Sequence, residues 1–503
     1  MATKTIDLAT ELEQLEAVSA NDLIMGYSVS GKKFGFIPTS FITRGGYACR
    51  RWNMSNSSPV GEAVGNIDYL RDLPSLLGLG CYLVDKNHGR RKLDPSNHYK
   101  LATGEATKLD GSMGDYMWGW NTKWYYAWWV EGGYYYEAAS LNPIPGKYNY
   151  VIPVASTSAL GVSVVDRTNL ELVSVINTSA QYRGGNNDAT LDGKFNTQLG
   201  RAATNLNAAT FGEYARKKGD GWEAYWYAHA AMIGALFRII FGTRNVQATY
   251  NASKDANGLY QGGLGSGVTN AGDWWTSSDG YNYYPFLPTS AGVELGDSCG
   301  VSTQTVTKAD GTTTTVSVPV FFGLKFLSGY LGRWERGLLI SKNSDGSGDI
   351  YVVPKMHSSY SMSSLSGLTK VATVPAAATA STWEYVKQLS MQNLCHVPTV
   401  TGATSSTFYA EGFYNDNAVS GLRVPYRGGY AGVGGVAGLE YLHVDRWCLD
   451  VQCALRLAPL RSSGELGHNA RPGVRLMPWG TIGCMVSVGC PSGHKVPKAR
   501  SAA

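Results

Sequence analysis

The stretch Val424–Pro459, "VPYRGGYAGVGGVAGLEYLHVDRWCLDVQCALRLAP", mixes two kinds of residue. Some positions are those that a backbone turn or a core would fix, because glycine permits turns and close approaches and leucine favours burial. These positions are Gly428, Gly429, Gly434, Gly438, Leu439, Leu442, Leu455 and Leu457. The positions between them share no chemical theme. The pattern therefore predicts a fixed scaffold that carries surface side chains on which the fold does not depend.

The predicted surface set includes three tyrosines, whose large and stiff amphipathic rings suit recognition. A half-buried strand position is the alternative for each tyrosine taken singly, but their clustering in one stretch favours binding. The candidate ligand-binding positions are Tyr426, Tyr430, Gly432, Val433, Val436, Tyr441, His443, Asp445, Arg446 and Asp450. The candidate scaffold positions are Arg427, Gly428, Gly429, Gly438 and Trp447.

The composition of the whole chain indicates a globular protein with several domains. Its 503 residues exceed what one core usually serves. Hydrophobic residues make up 44% and charged residues only 16%, and the 61 glycines and 31 tyrosines favour short strands and loop-rich domains over helix bundles. The net charge of +5 is small for this length and no Lys/Arg stripe is present, so we expect no nucleic-acid partner.

The sequence predicts no metal, cofactor or membrane insertion. The eight cysteines are scattered without a CxxC pair, which favours free and mostly buried thiols. Residues 343–349, "NSDGSGD", alternate oxygen ligands but lack the distal Glu of a calcium loop, so we expect a turn. The N-terminus lacks the layout of a signal peptide and no apolar run reaches the length of a membrane span, so we expect synthesis in the cytoplasm.

Three regions are predicted along the chain. Residues 1–46 form a small module, with a helix capped by Thr5 and a hairpin that turns at 30–33, which we expect to dock on another component. Residues 47–146 form a β module whose aromatic stretch 114–138 predicts paired strands. That stretch suits either a stacking platform for sugars or aromatic packing at a domain or subunit contact.

Residues 147–503 form the third region, and its local signals are clear. A strand is predicted where this region opens, and apolar residues at helical spacing predict a helix from Trp226 to Phe241 that ends at Gly242. His229 lies in this helix and is expected in the core or at its boundary. The dipeptide Asp310-Gly311 predicts a hairpin. The expected class is α+β, with small, mostly β modules before the C-terminal domain.

Three segments in this order carry a family resemblance: "YAHAAMIGALFRIIFGTRNVQ" (227–247), "GLKFLSGYLGRWERG" (323–337) and "YRGGYAGVGGVAGL" (426–439), followed by "ALRLAP" (454–459). This succession resembles the C-type-lectin-like fold of the formylglycine-generating-enzyme type. More closely, it is similar to the variable proteins of diversity-generating retroelements carried by phages and prophages. The resemblance covers about residues 150–460 and implies that the variable ligand-binding region lies at about 424–459.

The resemblance also implies why the residues between the scaffold positions of 424–459 are chemically so varied. In such proteins a reverse transcriptase rewrites adenines, and AAY codons can become Tyr, Gly, Val, His, Asp or Arg codons, but not Lys, Glu, Gln, Met or Trp codons. The candidate ligand-binding positions fit this code. Glu440, Trp447 and Gln452 do not, and are expected to be fixed scaffold. Related oxidising enzymes need a cysteine pair just beyond the Arg-Gly-Gly segment; since 430–447 contains no Cys, the chain is not expected to be an enzyme.

The implied function is adhesion by a phage tail receptor-binding protein. A homotrimer in the virion tail would bind a protein or glycan receptor on the host surface, contact other tail proteins through its N-terminal module, and gain strength from its several copies. Two alternatives stay open: a structural tail or collar component with a non-binding lectin-like fold, and a surface adhesin of the bacterium itself.

Overall fold

The computed structural model describes residues 23–28, 33–38, 46–183, 200–204, 206–269, 287–307, 313–354, 360–378, 382–444, 453–454 and 457–459. All of them fall within one compact unit. Strands account for 39% of the structure and helices for 14%, which agrees with the predicted β-rich α+β class.

The N-terminal module contains the predicted hairpin. Strand β1 (Leu23–Ser28) pairs antiparallel with β2 (Lys33–Pro38), and among the described residues these two strands form a sheet of their own. The helix predicted near Thr5 lies outside the described residues.

The next region is built mainly of strands around one helix. Helix α1 (Ile67–Leu77) begins where the Asn66 side chain accepts a hydrogen bond from the Tyr69 backbone N–H and ends at a left-handed Gly78. This helix was not predicted. The strands of this region are β3 (Ala48–Asn53), β4 (Glu62–Gly65), β5 (Gly80–Val84), β6 (Arg90–Asp94), β7 (Asn97–Leu101), β8 (Asp115–Trp120), β9 (Trp124–Glu131), β10 (Tyr134–Ser140), β11 (Tyr150–Ile152), β12 (Ala155–Ser158), β13 (Val164–Asp166), β14 (Glu171–Val173) and β15 (Tyr182–Arg183).

These strands form two five-stranded sheets, in the orders β11-β9-β10-β3-β4 and β12-β8-β5-β6-β7, and a three-stranded sheet β14-β13-β15. The aromatic stretch 114–138 does contain paired strands, since β9 and β10 form a hairpin across Gly132 and Gly133. However, β8 belongs to the other sheet. The strands β11 and β12 follow residue 147 but pair with β9 and β8, so both sheets include residues from either side of the predicted 146/147 boundary.

The described residues of the third region form two further α-helices, α2 (Ala208–Arg216) and α3 (Tyr227–Phe241). The strands are β16 (Trp222–Ala224), β17 (Tyr250–Asn251), β18 (Gln261–Gly262), β19 (Gly300–Thr307), β20 (Thr313–Phe321), β21 (Leu324–Lys325), β22 (Gly332–Trp334), β23 (Leu338–Lys342), β24 (Gly348–Val352), β25 (Thr369–Val374), β26 (Trp383–Ser390), β27 (Val397–Thr401), β28 (Gly412–Tyr414), β29 (Gly421–Arg423), β30 (Tyr426–Arg427), β31 (Leu442–His443), β32 (Cys453–Ala454) and β33 (Leu457–Pro459).

Several local predictions for this region are confirmed. Helix α3 spans the predicted residues, and Gly242 ends it in the left-handed conformation. The hairpin predicted around Asp310 joins β19 to β20, although the turn itself lies outside the described residues. The segment 343–349 includes the turn between β23 and β24, closed by a 2.9 Å bond from Asn343 N–H to the Ser347 carbonyl.

All 15 residues of helix α3 are buried, as expected for a helix that is apolar on all sides. His229 lies within it, 3% exposed, with its ring against Trp120. One apolar core runs continuously from Ala48 to Val444 around this helix. Within the described ranges, no helix combines the length and the apolar character that crossing a bilayer requires.

The sheet that matters most for the candidate site has seven strands, in the order β27-β26-β28-β31-β30-β22-β32. A four-stranded sheet, β25-β24-β23-β29, accompanies it, and β16 pairs with β33. The described cysteine side chains are free thiols, as predicted: Cys49, Cys81 and Cys395 are buried and Cys299 is partly buried. The other four cysteines lie outside the described side chains.

Candidate ligand-binding loop

The surface part of the predicted variable stretch is a short 3₁₀ segment, Ala431–Val436, between β30 and β31. Gly432 is exposed, and Tyr430, Val433 and Val436 are half-buried. These four candidate ligand-binding positions therefore lie together at the surface. We call residues 430–436 the contact loop.

Buried residues fix both ends of the contact loop. Ala431 and Ala437 have no exposed area. The Ala431 N–H donates to the Tyr330 carbonyl at 3.1 Å, and the Gln247 side chain donates to the Ala437 carbonyl. Gln247 is held in turn by a 3.0 Å hydrogen bond from the Ser266 hydroxyl. The attachments at both ends thus use backbone atoms of the loop.

Beneath the loop lies a buried ion network, which we define as Glu137, Arg238, Glu335, Arg427 and Glu440. Arg427 donates to Glu335 at 2.9 Å, to Glu440 at 3.0 Å and to the His396 carbonyl at 2.6 Å. Arg238 of helix α3 binds Glu440 and, at 2.7 Å, Glu137 of β10. The network therefore ties the strand before the loop to helix α3 and to the N-terminal sheet.

The charges of Glu440 and Arg427 are held by their partners in this network, whereas burial raises the pKa of Glu335. Burial alone would raise the pKa of Glu440, but Arg238, and then His396 and Arg427, lower it to about 2. Burial opposes the charge of Arg427, yet Glu335 and Glu440 raise the pKa of its guanidinium. Both groups therefore stay charged at neutral pH although neither reaches solvent.

Two neighbouring groups respond in the opposite way, because burial dominates. The pKa of Glu411 is raised well above its usual value, first by burial and then by the charge of Glu440. The Glu411 carboxyl still accepts a hydrogen bond from the Glu440 backbone N–H. Burial lowers the pKa of His396, which favours a neutral imidazole.

The predicted scaffold positions 427–429 and 438 are buried around this network. Gly428 has φ +94°, and a Cβ there would collide with the Arg333 guanidinium. A Cβ on Gly438 would collide with the Glu411 carboxyl. These two glycines are therefore required by the close approach of charged side chains. Glu440, expected to be fixed, is 2% exposed at the centre of the network.

Three candidate ligand-binding residues lie below the surface, which corrects their expected exposure. Tyr441 has no exposed area, Tyr426 is 3% exposed and His443 is 6% exposed. Tyr426 and His443 belong to β30 and β31, which are internal strands of the seven-stranded sheet, and Tyr441 directly precedes β31. In this conformation Tyr441 offers a ligand no area, and the other two offer little. Asp445, Arg446, Trp447 and Asp450 lie outside the described residues.

Tyr426 and His443 belong to a row of rings that crosses five adjacent strands of the sheet, which we call the aromatic row. Strand pairing places its members side by side: Trp383, Tyr414, His443, Tyr426 and Trp334. Ring centroids are 4.7, 4.5, 4.6 and 6.3 Å apart along this order. Burial decreases along the row, from Trp334 with no exposed area to half-buried Tyr414 and Trp383.

Sequence reasoning missed several residues of this site. The sequence assigned none of the following residues to the site: Trp383, Tyr414, Gln247, Glu411 and Arg238. Arg238 alone carried a signal, since a charged residue stands inside an otherwise apolar helix and so demands a buried partner. The sequence did not indicate which partner.

The chain matches no protein-family model and shows no significant similarity to a curated protein.

Proposed function

We propose that this protein is a receptor-binding protein of a phage tail, in which a C-type-lectin-like domain presents the contact loop to the host surface. The observation that carries this proposal is the division between frame and loop. The loop is attached through the Ala431 N–H and through the carbonyl of Ala437, which directly follows it. Between these attachments Gly432 is exposed, and Val433 is half-buried with part of its side chain against the core. Side chains at such positions can change without loss of the contacts that hold the backbone.

The buried ion network supports the same proposal. It fixes the strand on which the loop begins through Arg427, and the segment on which it ends through Glu440. A face that varies in chemistry needs a support whose stability does not depend on it. Contact by several tail copies would strengthen a weak individual interaction. In this proposal the N-terminal hairpin module belongs to the attachment end, and the assembly is a homotrimer.

The test is a graft confined to the accessible positions. Residues 430, 432, 433 and 436 would be replaced by those of a sibling protein with a different host range, and phage adsorption to both hosts would be measured. We expect adsorption to follow the grafted residues. The matched control is substitution of Val130, which is 43% exposed on β9, outside the loop; it should leave adsorption unchanged.

Unaltered adsorption after the graft, and after Val433→Arg, would contradict the proposal and favour a structural tail or collar component. Detection of the protein on uninfected cells would favour a bacterial surface adhesin instead.

A further inference from the structure

The accessible end of the aromatic row lies beside the contact loop. A Cβ on Gly412 would come within 2.8 Å of Val436 and within 3.3 Å of the Trp383 ring. Val436 belongs to the contact loop, so Trp383 continues the surface that the loop begins. Tyr414 follows at a centroid distance of 4.7 Å from Trp383.

Both rings carry a hydrogen-bond donor for which the described residues supply no acceptor. Within the described part of the chain, the indole N–H of Trp383 and the hydroxyl of Tyr414 make no hydrogen bond, and neither is among the buried polar atoms. By contrast, the indole N–H of Trp334, at the buried end of the row, donates to the Leu206 carbonyl at 3.4 Å. Trp383 and Tyr414 thus combine apolar ring faces with donors open to an external acceptor.

The two rings are lined mainly by uncharged residues, together with the His443 imidazole, which stacks on Tyr414 at 4.5 Å. Trp383, Gly412, Tyr414 and Val436 carry no formal charge. Glu384, the next residue along β26, pairs with Phe413 rather than Tyr414 and accepts a 3.1 Å hydrogen bond from the Ala378 N–H. These residues therefore offer no permanent counter-ion to a charged ligand. A neutral ligand with hydroxyl groups would find hydrogen-bond donors there, the Trp383 N–H and the Tyr414 O–H.

We propose that Trp383 and Tyr414 form a subsite for one ring of a neutral saccharide, adjacent to the contact loop. The C–H face of a pyranose carries partial positive charge and is similar in size to an aromatic ring, so it can stack on the negative face of an exposed ring. Its hydroxyl oxygens would accept from the Trp383 N–H and the Tyr414 O–H. The subsite would supply an invariant part of recognition, and the contact loop the variable part. This inference rests on the proposed function.

In the experiment, the purified full-length protein is titrated with methyl glycosides of glucose, galactose, mannose and N-acetylglucosamine. Saturation-transfer NMR measures the binding of each. We expect at least one glycoside to bind with a Kd of about 1 mM, as small neutral ligands commonly do. Trp383→Leu should weaken that binding at least about tenfold, and Tyr414→Phe, which keeps the ring, by a few-fold.

The matched control is Trp129→Leu. Trp129 is also a half-buried indole on a strand, but its N–H donates to Glu131 at 3.2 Å and its ring stacks on Tyr136. Glycoside binding should be unchanged in this variant. Thermal unfolding of all variants would show that each is folded.

Any of three results would overturn the inference. One is no glycoside binding to the wild type up to about 10 mM, a concentration at which even weak sites fill. The second is equal binding by the Trp383→Leu and Trp129→Leu variants. The third is binding of a host protein without glycans that is lost in the Trp383→Leu variant, which would favour a protein ligand. The loop graft separates this failure from a failure of the proposed function. If the graft redirects adsorption, the proposed function stands although the subsite fails. If neither the graft nor Trp383→Leu alters adsorption, the proposed function itself fails.

Discussion

Glu440 joins the two sides of the contact loop at the scale of a single residue. Its carboxylate binds Arg427, on the strand before the loop, and Arg238, on helix α3, while its own backbone N–H donates to Glu411. The side chain is 3% exposed, so water cannot replace a lost partner. A buried pair contributes little net stability relative to apolar residues, but removing one member leaves the other charge uncompensated.

Glu440→Gln is therefore expected to destabilise the protein by about 3 kcal/mol, because Arg238 and Arg427 lose a shared counter-ion in the interior. Urea unfolding followed by intrinsic fluorescence would measure the change. The control is Glu62→Gln, which breaks a surface ion pair with Arg51. Because the Glu62 side chain is 56% exposed, this substitution should cause no measurable change. Equal effects of the two substitutions would show that the network does not hold the loop.

Glu411 predicts a dependence on pH. Burial and Glu440 raise its pKa above the usual 4.5, so the folded state holds a proton that the unfolded state releases. Its contribution to stability is therefore fully present below pH 4.5 and is lost as pH rises through the raised pKa. Glutamine keeps an acceptor for the Glu440 N–H without this proton.

We expect Glu411→Gln to gain stability relative to the wild type as pH rises from about 4.5 to about 8, with the two proteins differing least at the acid end. Thermal unfolding across this range would measure the gain. Parallel Tm curves would contradict the raised pKa. Glu384→Gln is the control, since its carboxylate likewise accepts a backbone N–H but belongs to a partly exposed residue outside the network.

At the scale of elements, helix α3 depends on groups outside its own sequence. Arg50 of β3 is 6% exposed and donates to the last carbonyls of the helix, to Ile239 at 3.0 Å and to Ile240 at 3.5 Å. Those carbonyls have no partner within a helix, and a positive charge at this end is favourable. Burial lowers the pKa of Arg50 to about 10, which still leaves it charged at neutral pH.

Arg50→Met keeps the apolar stem and removes both hydrogen bonds, so we expect a loss of about 2 kcal/mol in the free energy of unfolding. Urea denaturation would measure it. The adjacent Arg51, whose guanidinium pairs with Glu62 at the surface, offers a matched control, and Arg51→Met should leave stability unchanged. A similar loss in both variants would mean that the hydrogen bonds to the helix carbonyls do not account for the effect.

The elements that the sequence predicted are those with local causes. Helix α3 has apolar residues at helical spacing and Gly242 at its end, and the β19–β20 hairpin has an Asp-Gly turn. Helix α1 was missed, because Pro74 inside it and a strand-rich neighbourhood argue against a helix. Pro74 lies in the second half of the helix. The buried residues of the helix, Tyr69, Leu70, Leu73 and Leu77, provide the tertiary packing that offsets the local cost of this proline.

The candidate site was predictable only in part, because only some of its features have local causes. The glycine positions of the frame follow from backbone requirements that the sequence displays directly. The aromatic row does not, because strand pairing brings together rings from β22, β26, β28, β30 and β31, and register is set by the fold. For the same reason Tyr426 and His443 read as surface residues in the sequence but lie within the sheet.

At the scale of the whole molecule, the two sides of the predicted 146/147 boundary share sheets and charges. Strands β11 and β12 complete the sheets of β9 and β8. Arg238 of helix α3 depends on Glu137 of β10, a contact that is 2% and 0% exposed on its two sides. The support of the contact loop therefore extends into the N-terminal sheets.

We expect a fragment of residues 147–503 not to fold, because it would leave Arg238 without Glu137 in the interior and would leave β11 and β12 without the strands with which they pair. A chain of residues 47–503 is the matched control, since β1 and β2 pair only with each other among the described strands. This longer chain should show a single thermal transition and the near-UV circular dichroism of packed aromatic rings, both of which the shorter fragment should lack. A cooperative transition with that spectrum in 147–503 would instead establish the boundary at residue 147 and limit the support of the contact loop to the C-terminal domain.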